Sequence, residues 1–136
     1  MDKVFIDSAA FVAISNKNDQ FHKMAVEINK SLLISKVRYI TTNFILDESI
    51  TILRLRIGHA STVDFHEKII KSGLIEIIHI SELIEEQAWH IFKKFSDKEF
   101  SFTDCTSFAV MKEHKITASF TNDHHFEQMG FEVLIK

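Results

Sequence analysis

Two textures of apolar residue alternate along this chain, and that alternation restricts its fold more than any other feature. Val4-Phe5-Ile6 is a short unbroken run that stops at Asp7, the pattern of a strand covered on both faces. Residues 8–16 then read as a short helix. Residues 20–36 carry Phe21, Met24, Ala25, Ile28 and Leu32 at helical spacing behind Asp19 as a cap. Residues 38–41 form a second strand candidate, with Thr41 or Thr42 placed to cap a helix over 43–56. That helix is apolar nearly all round, so it is either deeply buried or has one face against a partner. Gly58 ends it, and a helix over 60–72 is expected to stop at Gly73 as its C′ glycine. Residues 74–80 alternate as a strand whose polar members suit a sheet edge. Ser81 caps a helix through residue 95, with Glu82, Glu85 and Glu86 first and Lys93-Lys94 last, as the helix dipole favours. Thr103 is the expected cap of a helix over 104–115. A strand over 116–120, a helix over 123–129 closed by Gly130, and a strand over 131–135 complete the chain. Strands alternating with helices, without repeat or linker, predict one α/β domain over 1–136 with a mostly parallel sheet.

Composition agrees. At 136 residues there is no room for two ordinary domains, and 46% hydrophobic against 26% charged residues is a globular balance. Lys and Arg number 16 against 19 Asp and Glu, a formal charge of −3. That argues against coating nucleic acid by bulk charge but leaves room for a local site. One cysteine excludes an internal disulfide and a cysteine-based zinc cluster. Asp7 falls inside what would be the apolar region of a signal peptide, and no run approaches the roughly eighteen residues of a membrane span. A soluble cytoplasmic protein is expected.

The acids are placed unevenly. In open α/β sheets, sites form beyond the carboxyl ends of the strands. Asp7 directly follows the first strand and Asp123 lies shortly after the 116–120 strand. Glu48 is a turn into the 43–56 helix, and Asp104 is in the first turn of its own. Taken singly, each is equally a cap, a turn former or a solvated helix residue. Together on one rim they would repel one another without a cation among them, and hard oxygen ligands suit Mg²⁺ or Mn²⁺.

Four segments carry a family resemblance: Val4-Phe5-Ile6-Asp7-Ser8, Thr41-Thr42-Asn43-Phe44-Ile45-Leu46-Asp47-Glu48, Ser101-Phe102-Thr103-Asp104-Cys105 and Ser119-Phe120-Thr121-Asn122-Asp123. In order, spacing and total length the chain resembles PIN domains, and in particular the compact prokaryotic toxin ribonucleases of VapC type. The resemblance implies a five-stranded parallel sheet in the order 3-2-1-4-5, flanked by helices. It implies an acidic quartet at Asp7, Glu48, Asp104 and Asp123 that binds metal and catalyses RNA hydrolysis. Ser8, Thr121 and Asn122 are then supporting residues that hydrogen-bond a carboxylate or water, or else ordinary turn and cap residues. With those four acids set aside, the bases outnumber the remaining acids by one.

Other residues tempt less. Cys105 among Phe102, Phe108 and Ala109 reads as a small core residue. His124 and His125 point about 100° apart on a helix, so at most one faces the acids, and a solvated pair is expected. His90 with Glu86 and Lys94 reads as a charged helix face. Arg54, Arg56, Lys93, Lys94, Lys98, Lys112 and Lys115 are the cations available to backbone phosphates. Phe100 and Phe102 could stack on a splayed base, though Phe102 is expected in the core.

The leading expectation is thus a Mg²⁺- or Mn²⁺-dependent endoribonuclease, with RNA as substrate, a cognate antitoxin as partner, a homodimer through the apolar 43–56 helix, and no membrane. The alternative is a non-catalytic PIN-like module that binds nucleic acid or protein, which has no need of four mutually repelling acids. A receiver domain would need paired acids near the start and a lysine at a late strand end, and no lysine directly follows residues 116–120. An Asp-x-Asp phosphatase is disfavoured by Ala9.

Overall fold

In the computed structural model, which describes residues 2–136, five parallel strands form one sheet in the order β3-β2-β1-β4-β5. The strands are β1 (Lys3–Ile6), β2 (Arg38–Thr42), β3 (Ile75–Ile78), β4 (Ala118–Phe120) and β5 (Glu132–Val133). The helices between them are α1 (Ser8–Ser15), α2 (His22–Ile34), α3 (Asn43–Ile57), α4 (His59–Lys71), α5 (Glu82–Lys94), α6 (Phe102–Glu113) and α7 (His124–Gln128). None is long and apolar enough to cross a membrane, among the described residues.

The continuous apolar run at the start becomes the central strand because both of its faces are covered. Val4 and Phe5 are fully buried. Successive side chains point to opposite faces. Phe5 meets Phe126 of α7 at 6.3 Å between ring centroids, and Phe126 meets Phe108 of α6 edge-on at 5.0 Å. On the other face Tyr39 of β2 stacks on Phe120 of β4 across β1, and Phe11 of α1 packs edge-on against Phe65 of α4 at 5.5 Å. β1 pairs with β2 on one side (Phe5 opposite Ile40) and β4 on the other (Phe5 opposite Ser119). The chain winds outward in both directions from β1, so the β1/β4 gap is the topological switch point where ligands bind in such sheets.

The polar pattern of residues 74–80 marks an edge strand, as expected: β3 pairs only with β2, and its Glu76 takes an ion pair from Arg38 at 3.1 Å. Thr42 caps α3, its hydroxyl accepting from the Ile45 amide at 3.1 Å, and Ser81 caps α5 in the same way. Asp19, by contrast, does not cap α2 as expected: the helix starts only at His22, with Phe21 at its N-cap position and no side-chain cap. The Asp19 carboxylate instead braces the preceding turn by accepting from the Phe21 amide.

Three other local expectations are corrected. Gly73 is not a left-handed C′ residue: α4 ends at Lys71 with Ser72 in extended conformation, and the glycines with positive φ are Gly58 and Gly130. Thr103 does not cap α6, because Ser101 starts the helix two residues earlier. Phe100, not Phe102, is the core ring. It is buried edge-on against Phe108 at 5.0 Å, whereas Phe102 is half-buried against Phe92. The all-round apolarity of α3 resolves into a buried face of Ile45, Leu46, Ser49 and Leu53 and an outer face where Leu55 stands 83% exposed. Cys105 is fully buried, and desolvation pushes its thiol up to about 11, the state of an inert core residue.

Candidate active site

Asp7 leaves β1 at the switch point. Its amide donates to the Phe120 carbonyl at 3.1 Å, continuing the sheet ladder one residue past both strands. It occupies the N-cap position of α1, yet its side chain makes no capping bond there. The carboxylate turns instead toward Thr121, whose hydroxyl donates to Asp7 Oδ2 at 2.8 Å. The same Thr121 oxygen accepts from the Asp123 amide at 3.1 Å. One fully buried hydroxyl thereby ties the end of β1 to the turn that carries Asp123.

Asp123 caps α7, its Oδ1 accepting from the His125 amide at 2.9 Å. Asp104 sits at the third position of α6 in a capping box: its amide donates to Ser101 Oγ at 2.9 Å, and its Oδ2 accepts from the Ser101 amide at 3.0 Å. The bond from the Ser101 amide anchors the Asp104 carboxylate to the backbone and sets its rotamer. On α3, Glu48 takes a short hydrogen bond from the Ser8 hydroxyl at the start of α1. Asn122 lies exposed in the turn between Thr121 and Asp123.

His125 was expected in solvent and is not. Its ring is 18% exposed, with Nδ1 at 3.2 Å from Asp104 Oδ2 and 3.4 Å from Asp123 Oδ1, while His124 turns outward at 73% exposure. His125 is the one of the pair that reaches two acids, while His124 stays at the surface with Nδ1 at 3.9 Å from Asp123 Oδ1. The ring is fixed from behind by Phe100, edge-on at 5.5 Å. The available signal was its place two residues after the Asp123 cap, where the amide bonds the cap oxygen and the side chain folds back along it.

The electrostatics report one shared site. Asp7 is 5% exposed, and its carboxyl is pushed up to about 7, first by burial; the charges of Asp104 and Glu48 add to this, against the lowering effect of the Thr121 hydroxyl and the Ser8 amide. Burial likewise raises Asp104, opposed by the Ser101 amide, with Asp123 raising it further and His125 lowering it. Among the described residues, the ion pairs of lysine and arginine with acids lie elsewhere: Arg38–Glu76, Arg56–Asp19, Lys68–Asp64 and Lys98–Asp97. The charges of Asp104 and Glu48 reach Asp7 and that of Asp123 reaches Asp104, and among the described residues no lysine or arginine pairs with any of the four.

That donor set fits a divalent cation. The carboxylates are hard oxygen donors, oriented by hydroxyls and amides that spend their own hydrogen bonds on fixing them, and the charge they share has no protein partner but one histidine. Asp123, His124 and His125 also bring donor atoms within 4.8 Å of one another, a set that mixes nitrogen with oxygen.

The arrangement has counterparts. The model of the PIN domain matches residues 4–132. The chain is 34% identical over 129 residues to the 23S rRNA-specific endonuclease VapC20 of Mycobacterium tuberculosis, spanning 94% of this chain and 95% of that protein. It is 33% identical over 113 residues to a VapC ribonuclease of Archaeoglobus fulgidus, covering 82% of this chain and 71% of that one. The crystal structure of VapC20, described as a sarcin-ricin loop cleaving toxin, superposes with a TM-score of 0.84 at 32% identity over 94% of this chain and 95% of that one. FitAcB from Neisseria gonorrhoeae shares the fold, with a TM-score of 0.70 at 19% identity over 96% and 95% of the two chains. A sheet wound outward from Asp7, with sequence kinship along nearly its whole length, makes this chain a member of the PIN domain family.

Proposed function

We propose that the chain is a divalent-cation-dependent endoribonuclease, the toxin of a VapC-type pair, and that Asp7, Glu48, Asp104 and Asp123 are its catalytic and metal-binding residues. The observation that carries this reading is the buried Asp7 carboxylate in the field of Asp104 and Glu48 with no lysine or arginine to offset them. So costly an arrangement is retained where a cation completes it.

Asp7 and Asp123 are the direct ligands in this reading, with Thr121 tying the Asp7 carboxylate to the Asp123 backbone. Glu48 and Asp104 share ligation, bind through water or orient the attacking water. Ser8 holds Glu48, and Ser101 with His125 holds Asp104. Asn122 is the third supporting residue, exposed where it reaches water. A bound Mg²⁺ or Mn²⁺ supplies a water of lowered pKa and neutralises charge on the phosphoryl oxygens. In the hydrolysis a water oxygen forms a bond to phosphorus, the bond to O3′ breaks, and a proton passes to the departing O3′. The products carry 5′-phosphate and 3′-hydroxyl ends.

RNA and a cognate antitoxin are the proposed partners, the cytoplasm is the proposed location, and the exposed outer face of α3 around Leu55 is the proposed homodimer contact. The deciding experiment incubates the protein with ribosomal RNA and Mg²⁺ or Mn²⁺ and maps the ends. Cleavage is expected to vanish in excess EDTA and in Asp7→Asn. Undiminished cleavage in either would overturn the reading. Light scattering on Leu55→Asp, with a fall from dimer to monomer mass expected, tests the contact.

A further inference from the structure

Next to the acidic rim, the surface of α5 carries an aromatic ladder that the proposed chemistry leaves unused. Trp89 and Phe92 lie one turn apart with rings nearly parallel, 12° between planes and 5.6 Å between centroids. Phe92 meets Phe102 edge-on at 6.5 Å, and Phe102 is the first residue of α6, two before Asp104. Trp89 is 50% exposed and Phe92 41%, an unusual outlay of aromatic surface on a domain with a full core. The two rings line a shallow cavity of about 330 Å³ together with Lys93, Lys98 and Phe100. Phe100 is the common wall: one side lines this cavity, and its edge-on contact is His125, which touches Asp104 and Asp123.

We infer that this cavity is a base-stacking subsite for the RNA, in which an unpaired base lies on the rings of Trp89 and Phe92 while Lys93 and Lys98 hold the flanking phosphates. The inference rests on the ribonuclease reading of the neighbouring acids. Three observations favour RNA over a protein occupant. Lys93 and Lys98 line the same cavity as the rings, the pairing that recognises a single-stranded base and its backbone. Among the described residues the Lys98 side chain pairs only with its chain neighbour Asp97, at 3.1 Å with Asp97 70% exposed, a contact a phosphate displaces at little cost. The cavity also adjoins the reactive rim through the buried Phe100, which lines it and packs edge-on against His125. The rim repels phosphate until a cation is bound, and an attractive subsite beside it gives the strand a foothold. Stacking accepts any base, so the subsite selects for unpaired RNA over duplex and not for sequence.

Trp89 is the sole tryptophan, so its emission reports this surface alone. The experiment titrates the intact chain, in EDTA so that the strand survives, with a short unstructured RNA of A and U. Parallel titrations use the same strand with abasic sites and its duplex form. Saturable quenching by the unpaired strand is expected, with little from the abasic or duplex strand. Trp89→Ala should weaken binding about tenfold and Trp89→Phe far less, as measured stacking on aromatic side chains implies. Lys93→Ala with Lys98→Ala should reduce the slope of log affinity against log salt by about 1.4, two phosphate contacts on a single strand being lost. If RNA is cleaved while Trp89 emission and the Trp89→Ala KM stay unchanged, the subsite is wrong and the ribonuclease reading stands. If the unpaired strand quenches Trp89 but no divalent ion supports cleavage, the subsite stands and the ribonuclease reading fails. Quenching that follows protein concentration without RNA, with a doubled mass that Trp89→Ala abolishes, would make this face a contact between copies and overturn the proposal.

Discussion

Asp7 combines two roles that pull against each other, and replacing it separates them. A carboxylate at 5% exposure, raised to about 7 by burial and two acidic neighbours, is an electrostatic burden on the cation-free protein. Asparagine keeps the shape and still accepts the Thr121 hydroxyl, but carries no charge. Asp7→Asn should therefore lower RNA cleavage at least about a hundredfold, the order seen when one electrostatic group of a catalytic site is lost. In the same variant, the cation-free protein at pH 8 should melt higher than wild type. A residue that merely turned the chain after β1 would show neither change. His125 makes a second residue-scale case. Its Nδ1 lies between Asp104 and Asp123, so His125→Ala should weaken Mn²⁺ binding by calorimetry and slow cleavage, each about 10- to 100-fold. Asp7, Asp104 and Asp123 stand out in the sequence because each follows a strand or opens a helix, whereas Glu48, inside α3, is singled out only by the family resemblance. His125 was not legible, because which of two adjacent histidines faces inward depends on the rotation of α7, and that is fixed by the packing of Phe126 and Phe100.

Helix ends show where local signals suffice and where they do not. Thr42 and Ser81 precede apolar periodic runs and Asp123 opens the short α7, and each accepts from a backbone amide as such residues should. Ser101 and Thr103 are both acceptable caps by type, and only the start of the helix decides between them. The reciprocal bonds of Ser101 with Asp104 settle it, a Ser-x-x-Asp box that extends α6 by two residues and pins a carboxylate of the site. Ser101→Ala should cost about 1 kcal/mol of stability, read as a lower urea midpoint at unchanged slope, and Ser101→Gly only a few tenths. Gly73 misled for the converse reason: α4 closes without a left-handed residue. Two other helices close on left-handed lysines, where no sequence signal marks the end. After α2, Lys36 has φ 58°, its amide donates to the Leu33 carbonyl, and the Val37 amide donates to Leu32. After α6, Lys115 has φ 55° with the Ile116 amide bonded back to Met111. These are the bonds of a glycine-type C-cap made by a residue with a Cβ. Lys36→Gly and Lys115→Gly should each raise stability by about 1 kcal/mol in the same urea titration, the left-handed penalty being removed.

At the scale of the whole molecule, alternation of texture was enough for a parallel α/β sheet, while the order 3-2-1-4-5 came from family resemblance, since periodicity carries no strand neighbours. That order is what sets Asp7 against Thr121 across the switch point, and under the proposed reading a cation there joins folding and protonation in one equilibrium. The Asp7 carboxyl binds a proton more tightly folded than unfolded, its pKa rising from 3.8 to about 7. The stabilisation this gives is complete below the unfolded value and is lost as pH rises through about 7, up to about 4 kcal/mol for a shift of some three units. The cation-free protein should thus lose stability between about pH 4 and pH 7, a trend that Asp7→Asn flattens. A cation reverses the sign of the dependence. It competes with the proton for the same carboxylate, so its apparent affinity falls about tenfold per pH unit below the Asp7 value. At a hundredfold excess over its dissociation constant, Mg²⁺ adds about 2.7 kcal/mol, roughly 8 °C in melting temperature at this chain length. Melting curves at pH 5 and pH 8, with and without Mg²⁺, check both halves together. The cation should raise the midpoint at pH 8, do little at pH 5, and do little at either pH in Asp7→Asn. An equal rise at both pH values, or an undiminished one in the variant, would place the cation away from Asp7.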